Sequence, residues 1–179
     1  MPTPTPASKR VFVTSTRYDG KLGGLAGADS RCQIQENSVI PPLGGTWKAW
    51  LSSSTVAVNT PARSFTQATV PYKLLNRTTI AANWVNLTGG TLAAPINRTE
   101  NNTVLTGDNF VWTNTAPNGS ISNGSSLETC NDWISNAGSV NTVISPYGNT
   151  FNRDSQWTRV SGSASIACSD LFRLYCFEQ

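Results

Sequence analysis

The chain has no histidine at all. That absence removes Ser-His-Asp and Cys-His catalysis, imidazole-ligated zinc or iron, and any histidine-based pH switch. Charge is scarce too: Asp, Glu, Lys and Arg make up 13% of 179 residues, against about 25% in an average globular protein. Asn, Thr, Ser and Gly fill the gap, so the surface is polar but mostly uncharged. The formal net charge of +3 comes from basic residues that are scattered rather than clustered. The basic stripe of a nucleic-acid-binding protein is missing, and no nucleic-acid partner is expected. No apolar run approaches the roughly 20 residues of a membrane helix, and no signal-peptide hydrophobic segment is visible.

Cysteine is sparse but even in number, with four in the chain. In a low-charge, Asn/Thr-rich sequence this predicts two disulfides and an oxidising compartment. The final stretch, Ala167 to Gln179, is an apolar and aromatic run bracketed by Cys168 and Cys176, and it reads as a buried terminal strand. If extended, it holds these two cysteines more than about 20 Å apart, whereas a disulfide needs Cα atoms within about 7 Å. Each must therefore reach back to Cys32 or Cys130, and spacing leaves both pairings open.

The length suits one domain that buries roughly 70% of the surface its unfolded chain exposes. Residues 1–9 open with Met1-Pro2-Thr3-Pro4-Thr5-Pro6 and read as a stiff Pro/Thr linker, with 10–179 as a single domain. We expect an export signal or a lipid-bearing N-terminus ahead of this linker in the native protein, and hence a secreted or outer-surface location. Any membrane attachment would run only through that anchor. Mass spectrometry of the native protein tests this, and an unprocessed start at Met1 counts against export.

Val11 to Ser15 predicts the first strand, and Tyr18-Asp19-Gly20 a turn. Leu25, Ala28, Cys32, Gln35 and Val39 fall at helical spacing and predict a helix over about 24–37 with Cys32 facing inward. Trp47 to Ser52 reads as a central strand or tight packing element. Val70 to Leu75 reads as an edge strand because Pro71 lies within it. Ala81 to Leu87 reads as a short helix, Thr88 to Asp108 as a long loop, and Phe110 to Thr113 as a strand. Ala116 to Gly119 is a turn, and Ser120 to Ser126 a polar tip. Leu127 to Trp133 is an ordered element, Gly138 to Asn152 a loop, and Gln156 to Val160 a short strand. Trp84, Trp112, Trp133 and Trp157 are read as packing rather than as a ligand surface.

A loop as long as Thr88 to Asp108 is either functional or strapped down by its own contacts. Asn97, Glu100, Asn101 and Asp108 gather hard oxygen ligands there, which makes them candidate calcium ligands. Arg98, Asn101, Asn118 and Asn123 are candidate partner-contacting residues. Glu128 and Asp132 are four apart but lack an activating partner, so no catalytic residue and no cofactor are expected. Six Asn-x-Ser/Thr matches, from Asn76 to Asn123, are the yield of an Asn/Thr/Ser-rich composition.

Four phrases in register carry a resemblance. They are Gly27-Ala28-Asp29-Ser30-Arg31-Cys32-Gln33; Gly45-Thr46-Trp47-Lys48-Ala49-Trp50-Leu51-Ser52-Ser53; Val111-Trp112 with Pro117-Asn118-Gly119 and Cys130-Asn131-Asp132-Trp133; and the Cys-x7-Cys tail. Together they resemble endostatin, the C-terminal fragment of collagen XVIII, and more closely the bacterial endostatin-like surface proteins, notably those of pathogenic leptospires. In these, phrases like Val11-Phe12-Val13-Thr14 and Arg173-Leu174-Tyr175-Cys176-Phe177-Glu178 mark the two ends. The resemblance implies an α+β, C-type-lectin-like fold with a mixed, mostly antiparallel sheet, one main helix, long loops and two disulfides. It also implies the nested pairs Cys32 to Cys176 and Cys130 to Cys168.

Several family features do not carry over. Endostatin's zinc site uses histidine, and its heparin surface an arginine cluster, neither of which exists here. The Glu-Pro-Asn or Gln-Pro-Asp and Trp-Asn-Asp signatures of calcium-dependent sugar-binding lectins are also missing. What the resemblance implies is a non-enzymatic adhesion domain for host extracellular or plasma proteins such as laminin, fibronectin, plasminogen or factor H. The alternative is a carbohydrate-binding lectin, calcium-dependent or not, with a glycan partner. An enzyme of the formylglycine-generating kind needs a reactive cysteine pair, and the four cysteines here are expected in disulfides.

Overall fold

The computed structural model describes residues 8–54, 59–122, 129–137, 147–161 and 166–179. Its base is a five-stranded sheet in the order β2-β7-β1-β3-β4, built from β1 (Lys9–Val13), β2 (Trp47–Ala49), β3 (Tyr72–Leu74), β4 (Thr79–Ala81) and β7 (Tyr175–Glu178). β5 (Phe110–Trp112) and β6 (Tyr147–Asn149) form a separate antiparallel pair. Among the described strands, β1 pairs with β3 in parallel and the other ladders are antiparallel. The first and last strands are neighbours, with Val11 opposite Phe177, Phe12 opposite Cys176 and Val13 opposite Tyr175.

Successive strand residues point to opposite faces, so the short apolar runs of β1 and β7 must be covered on both sides. Val11, Val13, Tyr175 and Phe177 join Trp50, Tyr72, Leu74, Ile80 and Trp157 in one core. Phe12, Leu174 and Cys176 join Ala28, Cys32, Trp47, Ala49 and Trp133 in the other. The main helix α1 (Gly24–Ser38) covers that second face and is held to β7 by the Cys32–Cys176 disulfide. Cys130–Cys168 is the other bond, so the pairs are those that the resemblance implies. Two disulfides belong to an oxidising, extracellular or periplasmic environment. Among the described residues, no helix is long and apolar enough to cross a membrane.

Several sequence expectations need correction. Trp47–Ala49 is an edge strand, not a central one; its Ala49 amide is taken by the Asp29 carboxylate of α1 at 2.8 Å, which helps close the edge. Tyr72–Leu74 is interior rather than at an edge. Pro71 precedes it and contributes only its carbonyl, to the Lys9 amide at 2.8 Å, so the missing N–H of proline is never called upon. The third inward position of α1 is Glu36, not Gln35 or Val39. Its carboxylate bonds the Gly44 amide at 2.8 Å and the Gln33 amide group, anchoring the Gly44-Gly45 turn. Residues 155–157 form a 3₁₀ turn instead of a strand, opened by the Asp154 side chain accepting from the Gln156 amide. β6 emerges from what reads as loop.

Candidate functional site

The long loop is strapped to the end of β1. The Val13 amide donates to the Arg98 carbonyl at 2.8 Å, the Thr99 amide to the Thr103 carbonyl at 2.9 Å, and the Leu105 amide to the Asn97 carbonyl at 2.9 Å. Leu92 and Ile96 are buried anchors for the run before it. The Arg98 guanidinium closes this turn by donating to the Asn102 carbonyl at 2.8 Å. Asn102 sits at a φ of 59°, a left-handed conformation that asparagine tolerates better than most residues.

Folded in this way, the loop walls an open cleft of about 430 Å³. Thr99, Asn101 and the run from Thr103 to Asp108 line one side, and Ser15 and Arg173 the other. A second recess of about 220 Å³ adjoins it, lined by Arg17, Asp108, Phe110, Asp170, Leu171 and Phe172. Asp108 borders both and pairs with Arg17 at 3.1 Å. Around them stand exposed apolar side chains: Val104 is 42% exposed, Phe110 38% and Leu171 52%. Phe110 rests edge-on against Tyr147 and tilted against Phe172, so this rim is held rather than loose.

Arg173 is the central polar group of this region and is 9% exposed. Its Nε donates to the Asp108 carbonyl at 2.9 Å, and its Nη1 donates to the Thr14 carbonyl at 2.9 Å and to the Ser15 carbonyl. Burial lowers its pKa, repulsion from Arg17 adds to this, and the nearby carboxylates of Asp108 and Glu100 oppose it.

The sequence candidates divide. Asn101 and Asp108 line the cleft, and Glu100 lies next to it. The four calcium candidates do not offer a set of free oxygens, however. Glu100 is 2% exposed, and its carboxylate accepts from the Ser15 amide at 2.8 Å, from the Ser15 hydroxyl and from the Asn101 amide group at 3.2 Å. Asp108 is engaged by Arg17, and Asn97 serves the turn through its backbone. Among the described residues, no cluster of three or more Asp, Glu, Cys or His forms a metal site. Of the four, Asn101 and Asp108 reach the cleft, while the Glu100 carboxylate fastens the loop to the chain after β1.

Asn118 is not part of this cleft. It accepts from the Ser120 amide at 3.0 Å within a turn whose Gly119 carbonyl takes the Ala62 amide. Asn123 and Glu128 lie outside the described residues. Trp112, Trp133 and Trp157 are at most 1% exposed and belong to the cores, as their reading as packing residues requires. Sequence reasoning missed Ser15, Gly107 and above all Arg173. The available signal was a single cation within the apolar run Leu171-Phe172-Arg173-Leu174.

A family model described as protein of unknown function (DUF1554) matches residues 15–150. The chain belongs to this family. The DUF1554 match contains Ser15, α1 and the whole cleft loop from Thr99 to Asp108, whereas Arg173 and β7 lie beyond it. No curated protein matches the chain.

Proposed function

We propose that this chain is a non-enzymatic adhesion domain, secreted or displayed at the cell surface, of the endostatin-like, C-type-lectin-like class. Its partners are extracellular-matrix or plasma proteins of a host, in the class of laminin, fibronectin, plasminogen and factor H. The observation that carries this reading is the pair of adjoining recesses that share Asp108, rimmed by exposed Val104, Phe110 and Leu171. Apolar side chains grouped at the edge of polar recesses are the composition of a protein-contact surface. The base beneath it supports the same reading. First and last strands pair at the centre of the sheet, α1 is bonded to β7, and residues 88–109 form a long loop.

Binding of the purified domain to immobilised laminin, fibronectin, plasminogen and factor H tests the proposal. Saturable binding to at least one is expected, with a loss of at least tenfold in the Phe110→Asp, Leu171→Asp double variant. No binding to any of the four, or equal binding by a folded double variant, would sink it.

A further inference from the structure

Arg173 carries five N–H donors, and three of them are engaged by backbone carbonyls: Nε–H on Asp108, and the two Nη1 hydrogens on Thr14 and Ser15. The two hydrogens of Nη2 have no acceptor among the described residues. Arg173 is 9% exposed and lines the cleft. Three backbone bonds and burial therefore fix this cation with one nitrogen left over. A guanidinium held in this way pays little ordering cost when it meets an acceptor.

The surroundings narrow the ligand. Arg17 and Arg173 are balanced by Asp108 and Glu100, so the region offers no net positive field that would concentrate simple anions. Affinity has to come from direct hydrogen bonds. The wall offers exposed polar side chains at Asn101, Thr103 and Thr106, and the Asp108 carboxylate, 61% exposed, is an acceptor for hydroxyl donors. A ligand that satisfies both parts has a carboxylate for Nη2 and several hydroxyls for the walls. The volume of about 430 Å³ lies within the usual range of small-molecule sites.

We propose that the cleft binds a sugar acid, the uronic or sialic acid unit of a glycan, with its carboxylate on Nη2 of Arg173 and its hydroxyls on the Thr99–Asp108 wall. This needs no calcium. It is also independent of whether a protein partner uses the apolar rim, and it is tested with monosaccharides alone.

Gly107 provides a variant that leaves Arg173 in place. Its φ lies outside the left-handed region, and a Cβ built there meets nothing within 4 Å, so Gly107→Trp can occupy the cleft without straining the backbone. Titrations of the whole domain with D-glucuronate, N-acetylneuraminate, D-glucose and acetate, followed by amide chemical shifts, test the proposal. We expect at least one of the acid sugars to bind at least tenfold more tightly than both glucose and acetate, with EDTA without effect. The shifts should map to residues 99–108, and G107W, with parental near-ultraviolet dichroism, should lose at least tenfold. The proposal is overturned if neither acid sugar exceeds glucose, if acetate equals them, if EDTA abolishes binding, or if folded G107W binds like the parent.

Discussion

Asp29 shows how one half-buried carboxylate ties stability to pH. Burial lifts its pKa from 3.8 to about 6, against the opposing effects of the Ala49 amide and Lys48. Between about pH 4 and 6 the folded chain holds a proton that the unfolded chain has released, so stability declines as pH rises through this window and levels off above it. Asp29→Asn keeps an oxygen for the Ala49 amide and removes the titration. At pH 7 it should exceed the parent by on the order of 1–2 kcal/mol, allowing for the solvent that still reaches the group, with little difference at pH 4. Urea unfolding of both proteins at the two pH values checks this; equal parent and variant stability at pH 7 would refute it. Glu178 has the opposite sign. Burial raises its carboxyl, but hydrogen bonds from the Arg10 side chain and amide outweigh this and leave it below its ordinary value. Its contribution is present above the unfolded carboxyl pKa and is lost as pH falls through the folded one.

Two elements derive their form from neighbours rather than from propensity. Cys130–Trp133 is a left-handed turn, with φ of 53°, 54°, 54° and 66° along its residues. Such a conformation costs about 1–2 kcal/mol per non-glycine residue, so it persists only where its surroundings hold it. Here the Asp132 carboxylate accepts from the Ser54 amide and hydroxyl, both at 2.6 Å, the Trp133 indole donates to the Ser52 carbonyl at 2.9 Å, and Cys130 is bonded to Cys168. β6 depends on a close backbone approach: a Cβ on Gly148 would land on the Trp157 carbonyl of the 3₁₀ turn. Gly148→Ala should therefore push β6 off that turn and cost about 3 kcal/mol, read as a lower urea midpoint. An unchanged midpoint would mean that the two segments separate freely.

At the scale of the whole molecule, the two disulfides differ mainly in how much chain they close. Cys32–Cys176 spans 144 residues and Cys130–Cys168 spans 38, worth about 5 and about 4 kcal/mol respectively in the chain-entropy account. Cys32 and Cys176 are also wholly buried between α1 and the sheet. The paired substitution Cys32→Ser, Cys176→Ser should thus destabilise more than Cys130→Ser, Cys168→Ser, by on the order of 1 kcal/mol or more in urea unfolding. The reverse order would show that the left-handed turn, rather than the closure of the chain, governs stability. The loop face rests on this frame, because Glu100 and Arg173 both fasten the cleft to the residues that follow β1.

How much was legible follows from the range of each interaction. The runs Val11-Phe12-Val13 and Tyr175-Cys176-Phe177 announce buried strands through composition alone, and the spacing of Ala28 and Cys32 announces the helix that faces them. Even cysteine number, low charge and the absence of histidine determined the oxidising setting and excluded imidazole chemistry, since these depend on residue type and not on position. Tertiary structure alone decided that Trp47–Ala49 is an edge, that Glu100 turns inward to Ser15, and that the left-handed turn survives, because each depends on partners far away in sequence. It also decided the meaning of Arg173. In the sequence it is one cation within an apolar run; only the meeting of Thr14 and Ser15 with the 99–108 loop satisfies three of its donors and sets the residue in the lining of an open cleft.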